Sequence, residues 1–151
     1  MTLAYIRLNF PFFRHVHFVN DPNQSVAFTR IKTRELFINT CKFNQLPFEH
    51  QFFIIAHEEG HNILHTKDEL LADAHAYERY EKHNFSNKEA VKLLHQSLDS
   101  RNPVHAARIF QQYQRSLKND FTEFGIQSAR RNHYATIVET RNNIKKQLYG
   151  R

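Results

Sequence analysis

The stretch FFIIAHEEGHNILHTKDELLADAHA, residues 52–76, decides how this chain is expected to fold. Its first five residues are apolar and lead into an H-E-x-x-H pattern, formed by His57, Glu58 and His61. Positions four apart in an α-helix lie on one face, so a helix here presents both imidazoles to one metal ion. Glu58 lies about 100° further round the helix, beside that ion rather than on it. This arrangement is typical of a hydrolytic zinc site, in which the carboxylate takes a proton from water.

The flanking residues favour a buried helix that a second segment approaches closely. Pro47 suits the first turn, where its missing N–H does no harm. Gly60 costs about 1 kcal/mol relative to alanine in mid-helix, so we expect another backbone to come close at that position. Ala72 and Ala76, further along the chain, are small enough to permit such an approach.

A third ligand is expected in the next helix, because a catalytic zinc site needs three protein ligands and one open position. Thr66 or Asp68 can cap that helix, which runs toward Lys82. Glu69 and Asp73 share one of its faces because they are four residues apart. Both carboxylates are therefore candidates for the third ligand.

Two nearby histidines fit the same ion poorly. His75 lies about 120° round the second helix from Glu69. His65 would lie roughly 12 Å from His57 along the axis of the first helix. We expect His65 at the C-terminus of that helix, where a cation is favourable.

The whole pattern resembles the gluzincin group of zinc metallopeptidases, which combine H-E-x-x-H with a glutamate ligand on a later helix. The sequence E-x-x-A-D-x-x-A at residues 69–76 looks like that of membrane-bound heat-shock and prenyl-protein-processing zinc proteases. It is also similar to ImmA/IrrE-like peptidases and to small zincin-like proteins of bacteria and phages. The resemblance covers about residues 36–80, roughly a third of the chain.

The resemblance implies a role for each residue of the pattern. The ligands of a Zn²⁺ ion would be His57, His61 and Glu69. Glu58 would be the general base in the hydrolysis of a peptide or protein substrate. Asp73 would hydrogen-bond the back of a histidine ligand. Because the gap between His61 and Glu69 is short and helix ends shift easily, Asp73 also stays open as the alternative ligand.

The N-terminal part of the chain predicts a small antiparallel sheet within about residues 1–40. Four segments have the character of strands: 4–9, 15–20, 25–31 and 36–39. By resemblance, either 25–31 or 36–39 is the exposed edge along which an extended peptide lies. His15 and His17 share one strand face at a spacing that can bind metal, but with no third partner near them in the sequence we expect no second metal site.

At 151 residues, the chain is expected to form a single domain. The metal-site helices occupy about residues 47–83 and a helical extension about residues 86–148. The extension contains three predicted helices: 87–98, 104–117 and 129–148. The predicted fold class is therefore α+β, a minimal zincin-like domain with an N-terminal sheet, an active-site helix and a mostly helical C-terminal half.

Charge and cysteine content bear on partners and compartment. The net charge is +6, with a sequence pI of about 9.6. Much of the excess lies late in the chain: Arg130, Arg131, Arg141, Lys145, Lys146 and Arg151. A solvated helix face is the favoured interpretation, and nucleic acid is a weaker one. The single Cys41, the absence of a signal peptide and the absence of a long apolar segment predict a cytoplasmic protein without a membrane partner.

Two other functional classes stay open. The first is an interaction module in which zinc is a structural staple without peptidase activity, and a fully occupied fourth coordination position would support it. The second is a basic, nucleic-acid-associated accessory protein. Steeply salt-dependent DNA binding by the metal-free protein would support that alternative.

Overall fold

The computed structural model describes residues 1–120, 142–144, 146 and 148. The chain divides into two compact units, Met1–Ser86 and Asn87–Arg151. The division falls where the sequence separates the metal-site helices from the helical extension, and the single domain stays a prediction. Within the part of the chain that is described, no helix is both long and apolar enough to cross a membrane.

The first unit contains a small sheet and two long helices, which confirms the α+β class. Its elements in chain order are α1 (Leu3–Asn9), β1 (His15–Val19), β2 (Ala27–Arg30), β3 (Glu35–Asn39), α2 (Thr40–Phe43), α3 (Phe48–Ile63) and α4 (Glu69–Lys82). The helix α4 has the bounds that the sequence predicts for it.

The sheet is mixed, so the prediction of a wholly antiparallel sheet is wrong. Its strand order is β1-β3-β2, in which β2 and β3 are antiparallel and β1 and β3 are parallel. Pairing of strands that are neighbours in sequence would give an antiparallel sheet, but the connection at 20–26 carries the chain past the place that β3 later fills. The central place suits β3 because Leu36 and Ile38 are fully buried there.

The predicted strand at 4–9 is also wrong, because these residues form α1. The side chain of Thr2 caps this helix by accepting a hydrogen bond from the backbone N–H of Tyr5. Ile6 and Phe10, four residues apart, are fully buried, whereas Leu8 is 80% exposed. The apolar residues therefore follow the helical period, and the apparent alternation of a strand is incidental.

The helices α3 and α4 pack closely, as the small residues predict. A Cβ atom on Gly60 would lie 3.0 Å from the backbone Cα of Ala72 and 3.0 Å from the Cβ of His75. Ala72 and Ala76 are fully buried. Asp68, rather than Thr66, caps α4 with its side chain. Glycine is thus required in α3 because the backbone of α4 occupies the space a side chain would need.

The second unit begins with two helices, α5 (Asn87–Ser97) and α6 (Pro103–Asp120). These confirm the helices predicted at 87–98 and 104–117. Buried apolar residues line both helices: Ala90, Val91, Leu93, Leu94, Ala106, Ile109 and Tyr113. The predicted helix at 129–148 lies mostly outside the described residues. Of the six late basic residues, Lys146 is described and the other five lie outside the described residues.

Candidate metal centre

Three side chains from α3 and α4 converge on one point. The Nε2 atoms of His57 and His61 are 3.0 Å apart. Oε2 of Glu69 lies 3.2 Å from the Nε2 of His57, and Oε1 of Glu69 lies 3.5 Å from the Nε2 of His61. Each of the three side chains thus offers one ligand atom within 4.8 Å of the other two. The structure brings together the residues that the resemblance assigns to zinc.

A tight turn between the helices creates this convergence. The helix α3 ends at Ile63, and His65 follows with a φ of 47°, in the left-handed region that reverses the chain. The backbone N–H of Thr66 then donates to the carbonyl of His61, at 3.1 Å. This turn returns the chain so that Glu69, the first residue of α4, faces the two histidines. His65 is exposed and lies past the helix end, as predicted.

Both histidine rings are oriented from behind by hydrogen-bond acceptors. His57 Nδ1 lies 2.7 Å from Oδ1 of Asp73, which is fully buried. His61 Nδ1 lies 2.8 Å from the backbone carbonyl of Thr66. A carboxylate and a carbonyl only accept, so these partners assign the ring hydrogen to Nδ1 in both residues. The two Nε2 atoms then face each other with lone pairs, which is unfavourable unless a cation lies between them.

The separations of the donor atoms fit a zinc ion. Ligand bonds of about 2.0–2.2 Å in a tetrahedral site give ligand-to-ligand distances of about 3.3 Å. The observed distances of 3.0 Å between the two nitrogens, and of 3.2 and 3.5 Å from each nitrogen to its nearer Glu69 oxygen, lie around that value. Two imidazoles and one carboxylate are also a donor set that zinc accepts at catalytic sites. His57, His61 and Glu69 are therefore the residues that could hold the metal, while Asp73 lies on the other side of the His57 ring.

The surrounding carboxylates raise the pKa of both histidines. Burial lowers the pKa of His57, but hydrogen bonds to Asp73 and Glu69 outweigh burial and raise that pKa to about 9. The hydrogen bond to Glu69 is the main reason that the pKa of His61 is raised, against burial and the charge of His57. Without a metal, a proton is therefore held where the cation would lie, and metal binding has to release it.

Glu58, the residue that the resemblance assigns as general base, lies beside this group. It is half-buried and follows His57 directly in α3. Its negative charge contributes to the raised pKa of both His57 and His61, so its carboxylate acts electrostatically on both rings. The position matches the place beside the ion that helical geometry predicts for it.

A second polar cluster, which the sequence pattern does not predict, joins the helices outside the metal centre. Glu59 is buried and accepts a hydrogen bond from Nε2 of His75, at 2.8 Å. Its carboxylate also lies 3.3 Å from Nε of Arg79. The Arg79 guanidinium lies 4.8 Å from the centroid of the Phe10 ring and donates to the carbonyl of Asn9. His75 therefore belongs to the contact between α3, α4 and α1, and stays out of the metal group as predicted.

The sheet presents one edge to the metal-site helix. Of the two candidate edges, 36–39 belongs to β3, which is paired on both sides and cannot accept another strand. Among the residues that the structure describes, the strand β2, within 25–31, pairs only with β3, and it packs against α3. The side-chain amide of Asn62 in α3 donates to the hydroxyl of Thr29 in β2. Asn62 also donates to the carbonyl of Glu58, at 3.1 Å, so one buried side chain links β2 to the candidate base.

Two of these positioning contacts were not expected from the sequence. The acceptor behind His61 is a backbone carbonyl, which no residue type reveals. The link between Asn62 and Thr29 joins positions 33 residues apart, and it depends on how the sheet packs against α3.

Comparison of the chain with protein-family models, with curated proteins and with solved structures finds no match. The resemblance to the gluzincin group therefore stays a prediction that depends on the motif residues and on the geometry described above.

Proposed function

We propose that this chain is a zinc-dependent metallopeptidase. One observation carries the proposal: two Nε2 atoms and a carboxylate converge at zinc-like separations while both Nδ1 atoms are occupied by acceptors. His57, His61 and Glu69 would hold the Zn²⁺ ion. Three protein ligands leave one coordination position for water or substrate, as in catalytic sites.

The residues around the ion have separate tasks in the proposed reaction. When bound, zinc would supply Lewis acidity, which lowers the pKa of water and polarises the scissile carbonyl. Glu58 accepts the proton of the attacking water and passes it to the leaving amine. Asp73 and the carbonyl of Thr66 hold the rings of His57 and His61 in the tautomer that directs Nε2 toward the ion.

The substrate class follows from the edge strand. A peptide in extended conformation can add to the free side of β2 through backbone hydrogen bonds. The link from Asn62 to Thr29 fixes that strand against α3, so the bound peptide would pass the metal centre.

We place the activity in the cytoplasm, because a single free Cys41 suits a reducing compartment.

The test is the variant Glu58→Gln, which keeps the shape of the side chain and removes its basicity. Zinc content should equal that of the wild type, and cleavage of an unfolded protein such as casein should fall by about 10²–10⁴-fold. Glu49→Gln, in the first turn of the same helix, is the matched control and should cleave normally. Full activity in Glu58→Gln would overturn the mechanism.

A wild type that holds zinc at the α3–α4 centre but cleaves nothing gives a different result. Casein and a mixed peptide library, both read by mass spectrometry, would establish that inactivity. The zinc would then be a staple, and the interaction module would replace the peptidase as the favoured function.

A further inference from the structure

A second set of histidine and carboxylate side chains lies on one face of the sheet, opposite to the face that carries the buried residues. Side chains alternate along a strand, so Glu35 and Phe37 project opposite to the fully buried Leu36 and Ile38. The strand register places His15 opposite Glu35, and His17 opposite Phe37. His15, His17 and Glu35 therefore project from the same face of two neighbouring strands.

Two of these three groups are already in contact. Nε2 of His17 lies 3.0 Å from Oε1 of Glu35. The Thr33 hydroxyl donates to the other carboxylate oxygen, Oε2, at 2.5 Å. This bond fixes the carboxylate so that Oε1 stays directed at His17. The distance between His17 and Glu35 is similar to the separations of donor atoms in the α3–α4 centre.

His15 completes the set. It is the register partner of Glu35, and its ring centroid lies 6.3 Å from that of His17. His15 is exposed, so its ring can turn about the side-chain bonds without displacing packed neighbours. Two imidazoles and a carboxylate are ligands that suit zinc, nickel and copper ions.

We propose that His15, His17 and Glu35 form a second metal site, which binds Zn²⁺ on the outer face of the sheet and joins β1 to β3. The site is separate from the α3–α4 centre and does not depend on the proposed peptidase function. Unlike that centre it is open to water, and Arg30 competes for the carboxylate, since its Nη1 lies 3.8 Å from Oε2 of Glu35. We therefore expect it to bind zinc more weakly than the buried centre.

The test is zinc stoichiometry in the full chain, measured by titration with Zn²⁺ and by native mass spectrometry. His17→Ala should hold one zinc fewer per chain than the wild type at saturation, and so should His15→Ala. His17→Ala loses a ring that stacks on Phe37 and could fail to fold for that reason. His15 is exposed, so His15→Ala should fold and provides the test in that case. His95→Ala, an exposed histidine in α5 outside both sites, is the matched control and should keep the wild-type number.

Comparing the variants separates this site from the α3–α4 centre. His57→Ala should lose a zinc that His17→Ala keeps, and the double variant should lose both. If the peptidase proposal fails because the α3–α4 centre binds no zinc, the loss in His17→Ala would still be one ion. An unchanged stoichiometry in both His15→Ala and His17→Ala would overturn the second site, as would an equal loss in His95→Ala.

Two neighbouring residues make the test more specific. Thr33→Val removes the bond that fixes Glu35 and should weaken the second zinc about tenfold. Arg30→Gln removes a competing cation and should strengthen it. If Arg30→Gln left the second affinity unchanged and Thr33→Val did too, Glu35 would not be a ligand and the proposed set would be wrong.

Discussion

Two histidine pairs lie on different secondary structures, and the fold prepares them for metal to different extents. His57 and His61 are buried in α3, and each ring has an acceptor behind its Nδ1 atom. His15 and His17 lie on β1, and within the described part of the chain only His17 contacts a carboxylate, that of Glu35. Side chains that are already oriented lose little conformational freedom on binding, whereas His15 has to give up rotamers. Burial and prior orientation therefore favour a tight site in the helices and a weaker, open one on the sheet.

The largest expected effect is the loss of a ligand from the helical centre. Glu69→Ala should weaken zinc binding by more than about a hundredfold, because loss of a ligand exceeds loss of an outer partner. Asp73→Ala should weaken it by about 10–100-fold, since His57 keeps its position as ligand but loses its orienting acceptor. A competition titration with a zinc chelator measures both. Asp68→Ala, which removes the α4 cap and the same charge, should leave zinc affinity nearly unchanged.

The opposite order of the two losses in zinc affinity would change the assignment of the third ligand. Greater loss in Asp73→Ala than in Glu69→Ala would make Asp73 the third ligand, the alternative that the sequence leaves open. The geometry favours Glu69, because its carboxylate faces both Nε2 atoms whereas Asp73 contacts Nδ1 of His57.

The next effect is a pH dependence of the metal-free protein. The pKa of His57 is raised to about 9 in the folded state, from an unperturbed 6.5. A raised pKa means that the proton stabilises the fold, fully below about pH 6.5, and that this stability is lost as pH rises through about 9. The loss in free energy of unfolding is of the order of 3 kcal/mol. Urea denaturation in a chelator, at pH 6 and pH 9.5, measures it.

His57→Gln is the control for this pH dependence, because it removes the titrating group from the same position. Its free energy of unfolding should change less over the same range, and the change that remains is that of His61, whose pKa is also raised. A wild type whose stability rises between pH 6 and pH 9.5 would contradict the assigned direction.

A smaller effect concerns the packing that creates the helical centre. Gly60→Ala raises helix propensity by about 1 kcal/mol, but its Cβ would lie 3.0 Å from the backbone of Ala72. Because backbone cannot move aside as a side-chain tip can, we expect a net destabilisation of about 1–3 kcal/mol. Chemical denaturation measures it, and Ser97→Ala, at an exposed position in α5, should lack this penalty. A stabilised Gly60→Ala variant would show that the close approach is not required.

The same two histidine pairs explain what can be predicted from sequence. The helical pair, its candidate third ligand and Gly60 lie within 13 consecutive residues, so the helical repeat and one tight turn bring the ligand atoms together. The strand pair is visible in the sequence, but Glu35 is its neighbour only through the register of β1 with β3. This pairing is parallel, whereas the sequence predicts an antiparallel sheet. The positions of the three residues along the chain therefore do not reveal that Glu35 lies beside the two histidines. Apolar alternation over residues 4–9 predicts a strand. That prediction is wrong because alternation over only six residues does not exclude a short helix.

The smallest effect distinguishes the two acceptors behind the helical pair. Asp73 accepts through its side chain, but Thr66 accepts from His61 through its backbone carbonyl, which every residue type provides. Thr66→Ala removes only a hydroxyl that accepts from the backbone N–H of Asp68, at 3.0 Å. Stability should therefore fall by about 0.5–1.5 kcal/mol, and zinc affinity should stay close to that of the wild type. A chelator titration that showed a tenfold loss would mean that the Thr66 side chain, rather than the turn it belongs to, orients His61.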